Sequence, residues 1–463
     1  MVAPREPKPP SSQSVFARAQ WLLPVGVSVA IAALVFSVAT TLYSRPPILR
    51  DALGYTMTAQ RLVDHHVFAF GTDPPATWLQ PNASVTPGYV VFLAGIYAAS
   101  PSRSSDATAS ALSIQPTVQV TQFALALLVV ALVAGCGFSL GGQRLAYLAG
   151  FLAALYLPFA WSATVALSEC LAAALAAAQL LVALLLVRHK PPHITALAAG
   201  LGAVSAALTL VRPVTAPWIV VPFAYVAVRK LYSWKELGRL GAVSLAVFLA
   251  IMGGWWARNG VILHRFVALS DGAGNPALVS TGGYPLTADE QAVFDAADSK
   301  GKDPEAAVAY YRMGNRLRAN ALTYVSSRLV TAYSVVTMPW LVPSDAAWEE
   351  QFDAAAPRVE EGPLYVASPP TLIGAIRFTV GYQVFLLVAA AVSLIFVRRS
   401  PRVALVACVP VYFVLMHMVT LFINRYFFPA MPAMIVLAAA GMFGVTHAAW
   451  SLSRRLVPRR VRG

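Results

Sequence analysis

The chain has 463 residues, of which 58% are hydrophobic and 12% charged, with a formal net charge of +14. Repeated apolar stretches of about 20 residues exclude an ordinary soluble domain and describe an all-α, polytopic membrane protein. In such a chain the excess of Lys and Arg reads as basic cytoplasmic loops, so no nucleic-acid partner is expected.

In chain order, residues 1–20 form a Pro/Ser-rich basic head, expected to be disordered and cytoplasmic. The apolar run Trp21 to Leu42 follows, too long for a signal peptide and read as an uncleaved anchor. Basic clusters then punctuate the sequence at Arg144, Arg188 to Lys190, Arg229 to Arg239, Arg398 to Arg402 and in the tail SRRLVPRRVRG. Placing all of them inside gives about ten spans, near 21–42, 118–139, 145–163, 170–187, 194–211, 214–229, 240–256, 374–397, 403–422 and 427–448. Both termini, including the basic tail 449–463, are then cytoplasmic in a cell-membrane protein. Of the 20 acidic residues, only Glu6 and Glu236 fall outside the external face or its rim. Cys136, Cys170 and Cys408 all lie in apolar runs and read as buried thiols.

Two external elements result, residues 43–117 and 257–373, with helices 374–448 closing the membrane region. Within the first, RDALGYTMTAQRLVDHH is a helix carrying Asp51 and Tyr55 one turn apart, with Tyr55, Ala59, Leu62 and Val63 on one face. TPGYVVFLAGIYAAS (86–100) offers Thr86 as a cap, Pro87 at the first position and a stripe of Tyr89, Phe92, Leu93, Ile96 and Tyr97. It is too short to span and is expected to lie along the outer interface. The second element holds 13 of the 20 acidic residues. Its segment 321–340 sets Leu322, Val325, Leu329, Tyr333 and Val336 against Ser326, Ser327 and Arg328, and is likewise read as interfacial.

Charged groups at membrane depth cost several kcal/mol unless paired, which makes them functional candidates. Under this topology a set converges on the outer rim: Asp51 and Tyr55, Glu169 in LSECL, Arg212 in TLVRPVTAPW, Arg258 and Asn259 in GGWWARNG, and Asn424-Arg425-Tyr426. Arginine grips phosphate bidentately, and a carboxylate takes a proton or holds a divalent metal, so the set suits a phosphate-bearing lipid substrate. Each residue also has a plainer use: Asp51 as a cap or a partner of Arg50, Glu169 as a dipole partner at a helix start, the arginines as snorkelling side chains. His65 and His66 read as solvated, and Asn82-Ala83-Ser84 is a formal glycosylation sequon. No GxxxxGK[ST], GxGxxG, HExxH or CxxC occurs, so no nucleotide cofactor, ATP-driven pump or zinc hydrolase is expected.

DALGYTMTAQRLVDHHVFAFG followed by TPGYVVFLAGIYAAS resembles the first external loop of the GT-C superfamily, the polyprenyl-phosphate-sugar-dependent glycosyltransferases. The likeness is to the branch of protein O-mannosyltransferases and the lipid A aminoarabinose transferase. LSECL, LTLVRPVTAPW, WWARNGVILHRFVALSDGAGN and NRYFFPAMPAMIVLAAAG resemble that branch in order, from about residue 40 to 445. The resemblance implies a GT-C fold and an inverting transfer of a sugar from a polyprenyl-phosphate donor to a hydroxyl of a lipid, glycan or protein. It implies Asp51 as the catalytic acidic residue of the loop and Glu169 as the second acidic residue. Tyr55 matches the aromatic one turn on. Arg212, Arg258, Asn259, Arg425 and Tyr426 are implied near the donor, and a divalent metal (Mg, Mn or Zn) is allowed at Asp51 and Glu169. One departure stands out: Val85 and Thr86 precede Pro87 where the aminoarabinose branch carries a lysine.

In the mechanism this suggests, Asp51 is the base and arginines stabilise charge on the leaving phosphate. Two rivals remain at this stage. A transporter of lipid-linked or anionic substrates would show paired broken helices and polar groups deeper than Tyr147, Tyr156 or Gln179. An inactive GT-C scaffold would lack the loop Asp, which is present.

Overall fold

The computed structural model describes residues 21–42, 50–71, 79–100, 115–187, 193–272, 277–278, 281–300, 302–337, 370–396, 401–419 and 424–456. The expected head 1–20, parts of the external loops and the end of the basic tail lie outside these. Among the described residues every regular element is helical. In order they are α1 (Leu22–Leu42), α2 (Arg50–His65), α3 (Gly88–Ala99), α4 (Pro116–Gly141), α5 (Gln143–Ala154), α6 (Pro158–Trp161), α7 (Glu169–Leu186) and α8 (Ile194–Val211). Then follow α9 (Val220–Val228), α10 (Trp234–Ile262), α11 (Ala288–Asp298), α12 (Pro304–Thr337), α13 (Pro370–Ser393), α14 (Pro401–Val419) and α15 (Met431–Leu456). Short 3-10 segments, Pro213–Ile219 and Asn424–Ala430, lead into α9 and α15.

Among the described residues six helices are long and apolar enough to cross a membrane: Leu22–Thr41, Pro116–Gly141, Glu169–Leu186, Ile194–Val211, Trp234–Ile262 and Arg425–Thr446. Large apolar side chains such as Leu34, Val38, Val120, Val220, Leu249 and Val388 stand on the surface, which lipid covers at no cost and water does not. This is a multi-pass membrane protein.

The expected span 145–163 is not continuous. Gln143–Ala154 and the stretch Pro158–Thr164 bend by 56°. Pro158 brings no N–H for a bond back into α5. The chain then passes through an irregular turn to Glu169, the first residue of α7, with Ser168 at the cap but making no side-chain cap bond. The expected 240–256 is instead the core of a 29-residue helix, opened by a Ser233/Glu236 capping box. At 1.5 Å per residue it runs about 43 Å, longer than a hydrocarbon core of about 30 Å, and Arg258 and Asn259 lie in its last two turns.

Two cores hold the molecule. The larger runs through the membrane helices, with α4 against α1, α5 and α7, and α13 against α15. A Cβ at Gly441 would lie 2.0 Å from the Ala389 carbonyl oxygen, so α13 and α15 touch backbone to backbone there. The second core sits at one end of the bundle and joins α2 and α3 to α4, α7, α8 and α10 through Ala59, Phe68, Tyr89, Leu93, Tyr97, Val118, Ala172, Leu208 and Trp255. All four residues expected to pin α2, namely Tyr55, Ala59, Leu62 and Val63, belong to it. The expected stripe of α3 is buried or partly buried there, although the helix begins at Gly88 with Pro87 as its cap residue and Thr86 outside it.

The segment beginning at residue 321 is the second half of α12, which kinks at Asn320 (φ −161°, ψ 95°). Its faces are mixed: Ser326 and Ser327 are exposed as expected, and Val336 of the apolar stripe packs against the larger core. Arg328 is buried with its guanidinium 4.9 Å from the Tyr324 ring, while Leu322, Val325 and Leu329 are exposed. The helices α11 and α12 form a hairpin locked by Arg312, which donates from Nε and Nη2 to the two Glu290 oxygens at 2.8 Å each.

Candidate active site

Four charged side chains meet beside the second core. Asp51 lies in the first turn of α2, Glu169 opens α7, Arg212 follows the last residue of α8, and Arg425 is the second residue of the 3-10 segment before α15. Arg425 Nη2 donates to Asp51 Oδ2, joining residues 374 positions apart. Its Nη1 lies 3.6 Å from Glu169 Oε1. The same oxygen accepts from Arg212 Nη2 at 2.7 Å. Two carboxylates and two guanidiniums sum to zero charge, which lets them sit together at low exposure where an unpaired charge would be expelled.

The local chain explains each position. Arg212 is extended (φ −137°, ψ 96°) because Pro213 follows it. Its carbonyl accepts from Thr215 through both the backbone N–H and the hydroxyl. Its guanidinium lies 4.6 Å above the Tyr426 ring, and Arg425 lies 5.5 Å from that ring, so Tyr426 is a shared aromatic floor. Tyr55, one turn along from Asp51, packs edge-on to Tyr89 at 5.0 Å and against Phe70 at 5.4 Å. Burial, with the Asp51 carboxylate next, pushes the Tyr55 hydroxyl well above the usual tyrosine range, so it stays a proton-bearing donor.

Exposure separates the two carboxylates. The Asp51 side chain is 42% exposed and that of Glu169 is 4%. Asp51 is therefore the group a molecule from outside can reach, and Glu169 is a fixed anchor for both arginines. Two buried atoms of the cluster, Glu169 Oε2 and Arg212 Nε, have no hydrogen-bond partner among the described residues.

Of the residues singled out in the sequence, the structure brings together Asp51, Tyr55, Glu169, Arg212, Arg425 and Tyr426. Arg258 and Asn259 have other partners. Arg258 donates to the carbonyls of Asn82 (2.8 Å) and Phe68 (3.0 Å), between the rings of Phe68 and Trp255. The buried Asn259 reaches the Val267 carbonyl at 3.4 Å. Together they staple the loop after α2 and the segment after α10 onto the end of α10. Asn82 of the sequon is clamped as well, exchanging bonds with Phe70 N (3.0 Å) and O (2.9 Å) through its amide.

Sequence reasoning missed two supports. Arg61 is buried and donates to the carbonyls of Ala69 (2.8 Å) and Gly71 (3.0 Å), shaping the loop beyond α2. Gln122, fully buried on α4, accepts from the Tyr89 hydroxyl at 2.9 Å and donates to the Val165 carbonyl at 2.7 Å. It thereby ties α3 to the turn that delivers Glu169. A lone amide inside TQFALALL is the signal that marked it, since such a group at membrane depth needs partners.

The pair of carboxylates that the resemblance offers to a divalent metal does not fit one in this arrangement. Among the described residues no group of three or more His, Cys, Asp or Glu forms a site. Both Asp51 and Glu169 direct an oxygen at Arg425. A cation bound there would have to displace that guanidinium from both carboxylates and stand beside a second one, Arg212, 2.7 Å from Glu169.

No family model and no curated protein sequence matches the chain. Solved structures do. Oligosaccharyltransferase from Archaeoglobus fulgidus, in the apo form, superposes with a TM-score of 0.53 at 15% identity over 95% of this chain and 52% of its own. The same enzyme tethered to an acceptor peptide containing an NVT sequon gives 0.52 at 13% identity, over 96% and 51%. The chain has the GT-C fold. ArnT from Cupriavidus metallidurans, bound to undecaprenyl phosphate, aligns over 94% of this chain and 80% of its own at 14% identity, with a TM-score of 0.41. This GT-C chain spans about half the length of the archaeal oligosaccharyltransferase it matches.

Proposed function

We propose that the chain is an inverting glycosyltransferase that moves a sugar from a polyprenyl-phosphate donor to a hydroxyl acceptor on the outer face of the cell membrane. The observation that carries the reading is a half-exposed carboxylate, Asp51, held by Arg425 beside a second, buried arginine, Arg212. A base that an acceptor can reach, next to cations that grip a leaving phosphate, is what glycosyl transfer from a lipid phosphate requires. The GT-C fold and the position of the cluster at helix ends, beside the second core, support the reading.

In this reading the acceptor oxygen attacks the anomeric carbon as the bond from that carbon to the phosphate oxygen breaks. The bonding pair leaves with the polyprenyl phosphate, and the hydroxyl proton passes to Asp51. A single displacement inverts the anomeric centre. Arg212 and Arg425 balance the charge gathering on the phosphate, Tyr426 carries both guanidiniums, and Tyr55 sets the orientation of α2. Glu169 is a positioning residue that fixes both arginines. Arg258 and Asn259 act on the site through the loop they staple. The acceptor is a hydroxyl on lipid, glycan or protein.

Release of polyprenyl phosphate from a panel of radiolabelled polyprenyl-phosphate sugars, by purified protein in lipid, tests the reading. Turnover with one donor, abolished in Asp51→Asn while donor binding persists, is the expected result. Equal turnover in wild type and Asp51→Asn would remove Asp51 from the chemistry.

A further inference from the structure

The position that a divalent cation would take between two carboxylates is filled by a side chain. Arg425 points Nη2 at Asp51 and Nη1 at Glu169, 3.6 Å away. A guanidinium presents five N–H donors in a planar fork and is charged at every accessible pH, so it serves as a permanent cation that cannot leach.

We infer that Arg425 is the resident cation of this site, and that the donor's phosphate displaces Asp51 from it, freeing the carboxylate to meet the acceptor. The inference rests on the glycosyl-transfer reading and deepens it. The two partners of Arg425 are unequal: Glu169 is 4% exposed and also gripped by Arg212 at 2.7 Å, whereas Asp51 is 42% exposed and holds no other ion pair among the described residues. An ion pair open to water is the weaker one, so an incoming anion competes with Asp51 and leaves Glu169 in place. The exchange conserves charge. A phosphodiester with one negative charge replaces one carboxylate at Arg425, and the neutral cluster never carries an uncompensated guanidinium. A dication added to the same cluster would instead leave it doubly positive beside two buried arginines. No divalent metal is then part of the resting site.

The test uses full-length protein in phosphatidylcholine nanodiscs, with radiolabelled polyprenyl phosphate as the probe. Asp51→Asn releases Arg425 and is expected to bind the probe about tenfold more tightly than wild type, a gain that misfolding cannot produce. Arg425→Gln is expected to bind it at least about tenfold more weakly. Mn²⁺, followed by electron paramagnetic resonance without any substrate, is expected to show no stoichiometric site in wild type. Weaker binding in Asp51→Asn, or one Mn²⁺ per chain in wild type that Asp51→Asn abolishes, would overturn the inference. Inorganic phosphate is expected to displace the lipid only at far higher concentration; displacement at equal concentration would make this a free-anion site and overturn the assignment to the donor. Binding reads the exchange whether or not sugar is transferred, so tighter Asp51→Asn binding, with no turnover of any donor by the wild type, would sink the glycosyltransferase reading and leave the exchange standing.

Discussion

Replacing Gln122 by leucine removes the node between α3 and the turn that carries Glu169, at nearly constant volume. The Tyr89 hydroxyl, on a side chain 1% exposed, loses its acceptor at 2.9 Å and has no water to turn to. The Val165 carbonyl loses the bond at 2.7 Å but keeps the Leu167 N–H at 2.8 Å, so it is weakened rather than orphaned. The Ala163 contact, at 3.3 Å, adds little. Interhelical side-chain bonds in membranes average about 0.6 kcal/mol and reach about 1.7. An orphaned buried hydroxyl costs about 1–3 kcal/mol. With the leucine's own packing gain set against them, Gln122→Leu should lose about 2–3 kcal/mol. Equilibrium unfolding in lipid–detergent mixtures reads this directly, and a cycle with Tyr89→Phe isolates the pair. In the leucine background Tyr89→Phe removes the orphan, so the two losses should fall short of their sum by about 1 kcal/mol. Losses that add to within about 0.3 kcal/mol would refute the argument that these two side chains depend on one another.

The Glu290–Arg312 lock is sensitive to acid. Two bonds from Arg312, backed by the Thr287 N–H, lower the Glu290 carboxyl to about 2, so its stabilisation is complete above the ordinary carboxyl range near 4.3 and disappears as pH falls through about 2. Arg312→Leu should raise amide exchange in α11 at neutral pH, with the difference from wild type vanishing at the acid end; a difference independent of pH would show that the charge is not what matters. Gly88→Ala should separate α3 from the end of α8, because the new Cβ would lie 2.6 Å from the Leu210 carbonyl carbon and oxygen. A loss of about 1–3 kcal/mol is expected in the same unfolding assay, together with lower turnover because Arg212 stands two residues on; unchanged stability would mean the two backbones do not approach this closely.

How far the sequence revealed the structure depends on which rule was asked to work. Of the ten expected spans, six are helices long and apolar enough to cross a membrane among the described residues, one is a bent pair and three are shorter apolar helices, and the short α3 showed itself through Pro87 and a run of aromatic side chains. The rim residues were legible because charge at the edge of a span is costly and so marks itself. Three features were not legible, each for a stated reason. The break before Pro158 needed the proline weighed above an unbroken hydropathy score. Arg258 carries the same charge as Arg425, and only the placement of the Phe68 and Asn82 carbonyls directs it to the loop. The second half of α12 followed amphipathic periodicity only in part: Leu322, Val325 and Leu329 are exposed while Val336 packs inward and Arg328 is buried against Tyr324, a choice of partners that spacing alone does not make.

The cluster also carries an asymmetry that its own charges do not resolve. Glu169 Oε2 lacks a donor and Arg212 Nε lacks an acceptor, both buried. Each deficit costs about 1–3 kcal/mol, more where the group is charged, and buried polar groups left so are rare. Two rigid elements enforce it. Pro213 and the Thr215 bonds fix the backbone that aims Arg212, and the start of α7 aims Glu169, so neither can turn to satisfy the other fully. A ligand that relieves both must offer an anionic acceptor to Arg212 and a hydroxyl donor to Glu169. A phosphate alone supplies the first, and an uncharged sugar alone supplies the second. A sugar joined to a phosphate supplies both in one molecule. Under the proposed reading, this is why the buried carboxylate is retained although it is too enclosed to act as the base. Glu169→Gln, which turns the unpaired oxygen into an amide donor or leaves it a weaker acceptor, should therefore bind polyprenyl phosphate without its sugar about as wild type does, yet discriminate less between it and the sugar-bearing donor. Equal discrimination by the two proteins would show that Glu169 only anchors the arginines.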